Sequence, residues 1–268
     1  MTAAGEQTRL PRLLWAVTLT ETVVVAWAAI LTFFLPALGR RIWAYSFPPF
    51  NSRYVGAVYF AALAPLVIAV VSDRWVPARV VLQMILTFTT TVLVVMLLYT
   101  GSFAWGRVQT YGFWALYVAL PLNTTLYLRR YRRVLRAAPT GDRLARCAGT
   151  AAALYGIGLL AAPQTFAAFW PWAVDAFQGR MYAAAFLASA VGLWRATPSG
   201  RPSERVAVGA SLVVLGSAAI AGLLIGAATA PAGHGVDFAS AGTWGFVALN
   251  VVLALVGGAL AARPARSG

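Results

Sequence analysis

Residues 110–120, Thr110-Tyr-Gly-Phe-Trp-Ala-Leu-Tyr-Val-Ala-Leu120, match residues 243–253, Thr243-Trp-Gly-Phe-Val-Ala-Leu-Asn-Val-Val-Leu253, at seven of eleven positions. Both stretches are apolar, and with their flanks each is long enough to form a helix that crosses a bilayer. A match of this kind between two membrane segments indicates that the second half of the chain repeats the first.

A second set of matches supports the duplication, with a displacement of 127 residues instead of 133. An insertion of six residues in one loop accounts for the difference. The second set aligns Pro36, Trp43, Phe50, Arg53, Ala57 and Ala61 with Pro163, Trp170, Phe177, Arg180, Ala184 and Ala188.

Eight apolar stretches approach the length of about 20 residues that a membrane helix needs. Four spans in each half return the chain to its starting side, so an axis along the membrane normal should relate the halves. We predict a repeat over residues 1–128, an arginine-rich cytoplasmic linker over 129–147 and a second repeat over 148–268. The predicted spans are Leu13–Leu35, Tyr54–Val71, Val80–Tyr99, Thr110–Leu128, Ala148–Phe169, Met181–Trp194, Val206–Ala228 and Trp244–Ala262.

The composition is that of a membrane protein. Hydrophobic residues make up 60% of the chain and charged residues 10%, too few to solvate a water-soluble surface. All 21 basic residues are arginines; with the N-terminus inside, sixteen lie on the cytoplasmic side and five on the other. This bias follows the positive-inside rule. We predict a plasma-membrane protein with both termini cytoplasmic, whose net charge of +14 contacts lipid headgroups and not nucleic acid.

Glu21 is a candidate functional residue, because it is the one charged residue clearly inside a predicted span and charges are costly in hydrocarbon. Polar side chains of the third and fourth spans, including Gln83, Thr87 and Asn123, approach the same depth. One interpretation is a carboxyl group that binds a proton or a cation. The other is a packing role, with Glu21 hydrogen-bonded to Gln83 or Thr87 or paired with Arg79.

Aromatic residues dominate the external connectors after the first and fifth spans. Trp43 lies in one connector and Trp170 in the other, and Arg53 and Arg180 open the spans that follow. One interpretation is an aromatic belt with snorkelling arginines. The other is a pair of sites that bind anionic headgroups or an amphiphilic ligand through ring faces and guanidinium groups.

Other residues suggest structural roles. Pro65 and Pro121 remove helical hydrogen bonds within their spans, and either kink the helices or line a cavity. Gly222 and Gly226, one turn apart, predict a helix contact on the seventh span. Surface ion pairs of little energetic consequence are expected for four acids in arginine-containing loops: Asp73, Asp142, Asp175 and Glu204.

The Phe-Trp-Pro-Trp motif of residues 169–172, followed by Arg180, resembles multi-pass membrane proteins of high-GC actinobacteria. The loop His234–Phe238, which precedes a tryptophan-bearing last span, shares this resemblance. Such proteins have no established activity, so the resemblance implies the topology and no function. His234 and Asp237 alone are too few ligands for a metal site, and we expect their loop to be solvated.

We predict an all-α polytopic protein that binds or transports a lipid or hydrophobic solute between its repeats. Glu21 would titrate, and Arg53 and Arg180 would anchor a headgroup. Membrane lipids, a hydrophobic or amphiphilic small molecule, and a second copy or another membrane subunit are the expected partners.

Two alternatives stay open: a membrane-embedded enzyme acting on a lipid or isoprenoid, and a structural or accessory subunit. The chain contains no His-Glu-x-x-His motif, aspartate-rich cluster or P-loop, so we expect no cofactor or metal and disfavour the enzyme.

Overall fold

A computed structural model describes residues 9–130, 143–196, 202–230 and 235–262. Within these ranges all regular elements are helical, and β pairing is confined to two isolated bridges. In chain order the α-helices are α1 (Arg12–Phe34), α2 (Pro36–Ile42), α3 (Pro49–Ser72), α4 (Trp75–Leu98), α5 (Val108–Arg130), α6 (Arg143–Ala161), α7 (Pro163–Phe166), α8 (Ala176–Ala196), α9 (Pro202–Thr229) and α10 (Ala241–Ala261).

Each predicted span coincides with one of the eight long helices. Six of these, α1, α3, α4, α6, α9 and α10, are long and apolar enough to cross a membrane, so the chain is a multi-helix membrane protein. The expectation that the fifth span continues to Phe169 is wrong, since α6 ends at Ala161 and Pro163 begins the short helix α7. Proline favours the first position of a helix, where its missing N–H is not needed.

Four helices form the centre of the bundle: α3 packs along α9, and α4 packs along α8. Each carries one outer helix, with α1 on α3, α5 on α4, α6 on α8 and α10 on α9. The outer helices α1 and α5 have no extensive contact with each other, which leaves a gap at the side of the bundle. We term the end with connectors 43–48 and 167–175 the aromatic end, and the end with residues 9–11 the terminal end.

A buried ion pair joins α4 and α9 at the terminal end. The guanidinium of Arg79 places Nη2 2.6 Å and Nε 3.0 Å from Oε1 of Glu204. The side chain of Glu204 is fully buried, so its expected surface position is wrong. The reason is that α9 already begins at Pro202, which brings its first turn against α4. A negative charge in the first turn of a helix is also favourable for the helix dipole.

The other loop acids behave differently from one another. Asp73 and Arg9 form the exposed ion pair that was expected, with Arg9 Nε 3.8 Å from Asp73 Oδ2. Asp175 instead caps α8, since its Oδ1 accepts a hydrogen bond of 2.7 Å from the backbone N–H of Gln178. Asp142 and His234 lie outside the described residues.

The contact between α9 and α10 depends on glycines. A Cβ atom on Gly209 would lie 2.5 Å from the carbonyl oxygen of Gly257, and a Cβ on Gly216 would overlap the carbonyl oxygen of Asn250. The two backbones therefore touch, as they do in membrane helix pairs with small residues at the interface.

The contact predicted at Gly222 and Gly226 is confirmed, and its partner is α3. A Cβ on Gly222 would lie 3.3 Å from the Cβ of Arg53, and a Cβ on Gly226 would overlap the ring of Phe50. These glycines face the interior of the bundle.

Candidate functional site

A cavity of about 380 Å³ lies in the gap between α1 and α5. Its walls come from α1, α3, α4, α5, α8 and α9 and are mostly apolar, with Leu215 of α9 on the far side. Trp27 of α1 and Gly112 of α5 are exposed and also line the cavity. The opening therefore faces the side of the bundle, between these two helices.

Glu21 of α1 lines this cavity and is half-buried. Its carboxyl group forms no hydrogen bond or ion pair with any described residue. The packing contacts expected for it are not formed: Arg79 is paired with Glu204, the Thr87 hydroxyl donates to the backbone carbonyl of Gln83, and the Gln83 side chain does not line the cavity. Glu21 thus presents a carboxyl group to the cavity.

The other polar groups of the wall are neutral. The hydroxyl oxygens of Tyr59 and Tyr117 lie 3.2 Å apart and share one hydrogen bond. The hydroxyl of Thr89 donates to the carbonyl of Ile85 in its own helix. Among the described residues, Glu21 is the only charged side chain that lines the cavity.

The two mid-helix prolines lie beside the cavity in different ways. Pro65 lines it together with Ala61, whose carbonyl loses its helical partner because proline has no N–H. Pro121 does not line the cavity. Its missing N–H leaves the carbonyl of Tyr117 without a helical partner, and Tyr117 does line the cavity. Both helices continue through their prolines.

Trp43 closes the cavity at the aromatic end. Its ring packs edge-on against Tyr59 and Phe113, with centroid distances of 5.8 and 6.0 Å. Tyr45 lies beside it in a cluster of rings, and burial raises the pKa of Tyr45 well above its ordinary value, so the phenol stays neutral. Of the two tryptophans predicted to contact a ligand, Trp43 and Trp170, Trp43 lines the cavity.

Arg53 and Arg180 make contacts with helix ends from the opposite half of the chain. Arg53 donates from Nη2 to the hydroxyl of Thr229, at the end of α9, over 3.1 Å. Arg180 lies over the ring of Tyr99, which follows α4, and donates from Nη1 to its hydroxyl. Arg180 also donates from Nε to the carbonyl of Leu160 over 2.9 Å. Neither arginine lines the cavity.

Trp170 lies in the second half of the chain, away from the cavity wall. Its ring stacks on Tyr182 at a centroid distance of 5.2 Å, and its Nε1 donates to the hydroxyl of Tyr155 over 2.8 Å. It borders a shallow depression that also contains Asp237.

Asn51 was not singled out from the sequence, yet it links both halves at the aromatic end. Its Oδ1 accepts hydrogen bonds from Trp172 Nε1 over 2.8 Å and from the Tyr182 hydroxyl over 2.7 Å. Its Nδ2 donates to the carbonyl of Ala173 over 3.2 Å. The sequence offered one signal, a lone amide side chain in an aromatic and proline-rich connector. If such a side chain is buried, it is expected to form hydrogen bonds.

Gln83, Thr87 and Asn123 do not line the cavity. The site therefore holds Glu21 and Trp43 from the predicted set, and the tyrosine pair in addition. Within the described ranges no group of three metal-ligating side chains occurs. Compared with known proteins, the chain matches no family model, no curated protein and no solved structure.

Proposed function

We propose that the protein binds or transports a lipid or hydrophobic solute, which enters the cavity sideways between α1 and α5. The observation that carries this proposal is an apolar, laterally open cavity with a single carboxyl group, Glu21, that has no hydrogen-bond or ion-pair partner among the described residues. Apolar walls with few polar groups are typical of small-molecule sites. Glu21 is the group that takes up a proton or pairs with the solute.

The cavity draws on both halves of the chain. Most of its wall comes from α1, α3, α4 and α5, and Ser189 of α8 and Leu215 of α9 complete it. The solute would therefore lie against the contact between the halves. A change in that contact would alter the cavity, which is the property a transporter needs.

Eight membrane spans, arranged as two four-helix repeats of the same orientation, complete the proposal. The helix contacts support it: α1 with α3 corresponds to α6 with α8, α4 with α5 to α9 with α10, and α3 with α9 to α8 with α4. The ring pairs Trp43–Phe113 and Trp170–Phe246, equated by the sequence repeat, have interplanar angles of 63° and 64°. The arginine distribution favours cytoplasmic termini and the plasma membrane.

The two alternatives have less support. An enzyme would need a second acid or a metal near Glu21, whereas no other acid of the described residues lines the cavity and the buried Glu204 is paired with Arg79. An accessory subunit would present an exposed seam at Gly222 and Gly226, whereas α3 covers these glycines.

A neutral photoactivatable probe, 3-trifluoromethyl-3-phenyldiazirine, tests the cavity in the purified protein. We expect saturable labelling of the peptide that contains Glu21 and Trp27, mapped by mass spectrometry. The variant Gly112→Phe should abolish it, because an added Cβ there meets no atom within 4 Å and the ring would fill the opening.

Gly258→Phe is the matched control, since Gly258 is also a helical glycine with no atom within 4 Å of an added Cβ. It should label as the wild type does. The proposed function would be refuted if labelling of the cavity peptide rose linearly with probe concentration and was unchanged in Gly112→Phe.

A further inference from the structure

We infer that the ligand of this cavity is a lipophilic cation: an apolar body with a positively charged nitrogen or phosphorus centre that pairs with Glu21. The inference rests on the proposed function and adds the charge of the ligand to it.

Glu21 lacks a counter-ion among the described residues. The chain has 21 arginines and seven acids, and the fully buried carboxylate of Glu204 lies 2.6 Å from an arginine nitrogen. Glu21 nevertheless has no ion pair with a described residue. An ionised carboxylate in an apolar cavity is costly without a partner. A bound cation supplies that partner from outside the chain.

The charge of the cavity wall also bears on the ligand. An anionic ligand would meet no cationic side chain there, because Glu21 is the only charged lining residue in the described part of the chain. Arg107 contacts the carbonyl of Trp43 over 2.9 Å, yet it does not line the cavity. The wall therefore discriminates against negative charge and favours positive charge.

Aromatic side chains form part of the cavity wall. Trp43, Tyr59, Phe113 and Tyr117 all line the same cavity as Glu21. Aromatic faces attract cations that are partly desolvated, and quaternary ammonium groups are recognised by such faces. A volume of about 380 Å³ lies in the range of sites for drug-sized molecules. Carboxylate and rings together match a bulky organic cation better than a hydrated metal ion.

Two probes of nearly the same shape and opposite charge separate this inference from the proposed function. Radiolabelled tetraphenylphosphonium should bind the detergent-solubilised protein saturably, and tetraphenylborate should compete poorly. In Glu21→Gln, phosphonium binding should weaken by roughly tenfold or more. Glu21→Asp keeps the charge and should retain most of the binding.

Each outcome has a separate meaning. Equal competition by the borate in the wild type, or unchanged phosphonium binding in Glu21→Gln, would overturn the cationic ligand. If saturable diazirine labelling persisted in that case, the cavity would still bind neutral solutes and the proposed function would stand. If neither the phosphonium nor the borate bound and the diazirine did not label saturably, the cationic ligand and the proposed function would both be refuted. The wild-type competition and Gly112→Phe decide the question even if Glu21→Gln does not fold.

Discussion

The Arg79–Glu204 pair leads to a prediction about a single residue. Glu204→Gln leaves the guanidinium of Arg79 buried at 4% exposure without its counter-ion. Removing one member of a buried pair costs about 3–5 kcal/mol, so we expect a large fall in the unfolding temperature of the purified protein. The double variant Arg79→Met with Glu204→Leu should recover much of the loss, because neither charge of the pair is then left buried without the other.

Asp73→Asn provides the control for that measurement. The Arg9–Asp73 pair is exposed and 3.8 Å long, and its loss should cost less than about 1 kcal/mol. Asparagine also tolerates the left-handed backbone of Asp73, whose φ is 48°. Equal effects of Glu204→Gln and Asp73→Asn would contradict the role assigned to the buried pair.

For single residues, the sequence indicated which residue types are unusual in a span, but not which of these side chains reach the cavity. Glu21 could be recognised because an acid within an apolar span is rare. Gln83 and Thr87 were predicted at the same depth, yet they do not line the cavity. Helical spacing fixes relative positions on one helix and not the rotation of that helix against its neighbours. The burial of Glu204 depends on a contact 125 residues away along the chain, which no local pattern contains.

The contact of α9 with α10 gives a prediction for an element. Gly216→Ala should push the helices apart, because the added methyl group would overlap a backbone carbonyl of α10, and should destabilise the protein by about 1–3 kcal/mol. Gly258→Ala, which has open space around it, should be neutral or stabilising by up to about 1 kcal/mol through helix propensity. Thermal unfolding of both variants compares them, and similar shifts would argue against a close backbone contact.

The long helices could be predicted and the short ones could not. Apolar runs set the length of a span closely enough to locate all eight long helices. The short helices α2 and α7 begin at Pro36 and Pro163, where a run of apolar residues continues through a break in the helix. Hydrophobicity alone cannot detect such a break. The two prolines were aligned by the repeat, but their structural meaning was not recognised.

The topology leads to a prediction for the whole molecule. Single cysteines in a Cys147→Ser background should divide into two groups when a membrane-impermeant maleimide is applied to intact cells. Gly106→Cys and Ala239→Cys should react from outside, whereas Arg9→Cys and Ala262→Cys should react only after the cells are opened. If α5 or α8 did not cross the membrane, Gly106 and Ala239 would not share a side.

The arrangement of the halves was only partly accessible from the sequence. Matches between residues 110–120 and 243–253 indicate duplication, and an even number of spans indicates a shared orientation. They do not reveal that α3 packs on α9 and α4 on α8, so that the central contacts run between halves. The position of the cavity could not be predicted either, because it depends on a gap between α1 and α5 that only the packing of the helices creates.

The pairing of first-half arginines with second-half residues also affects biosynthesis. Glu204 is made 125 residues after Arg79, and Thr229 is made 176 residues after Arg53. At a translation rate of about 5–20 residues per second, the nascent chain waits on the order of 10 s before these second-half partners are made. A translocase, an insertion chaperone or anionic phospholipid must accommodate the two arginines meanwhile, and a polypeptide truncated at the linker would be a ready target for quality-control proteolysis.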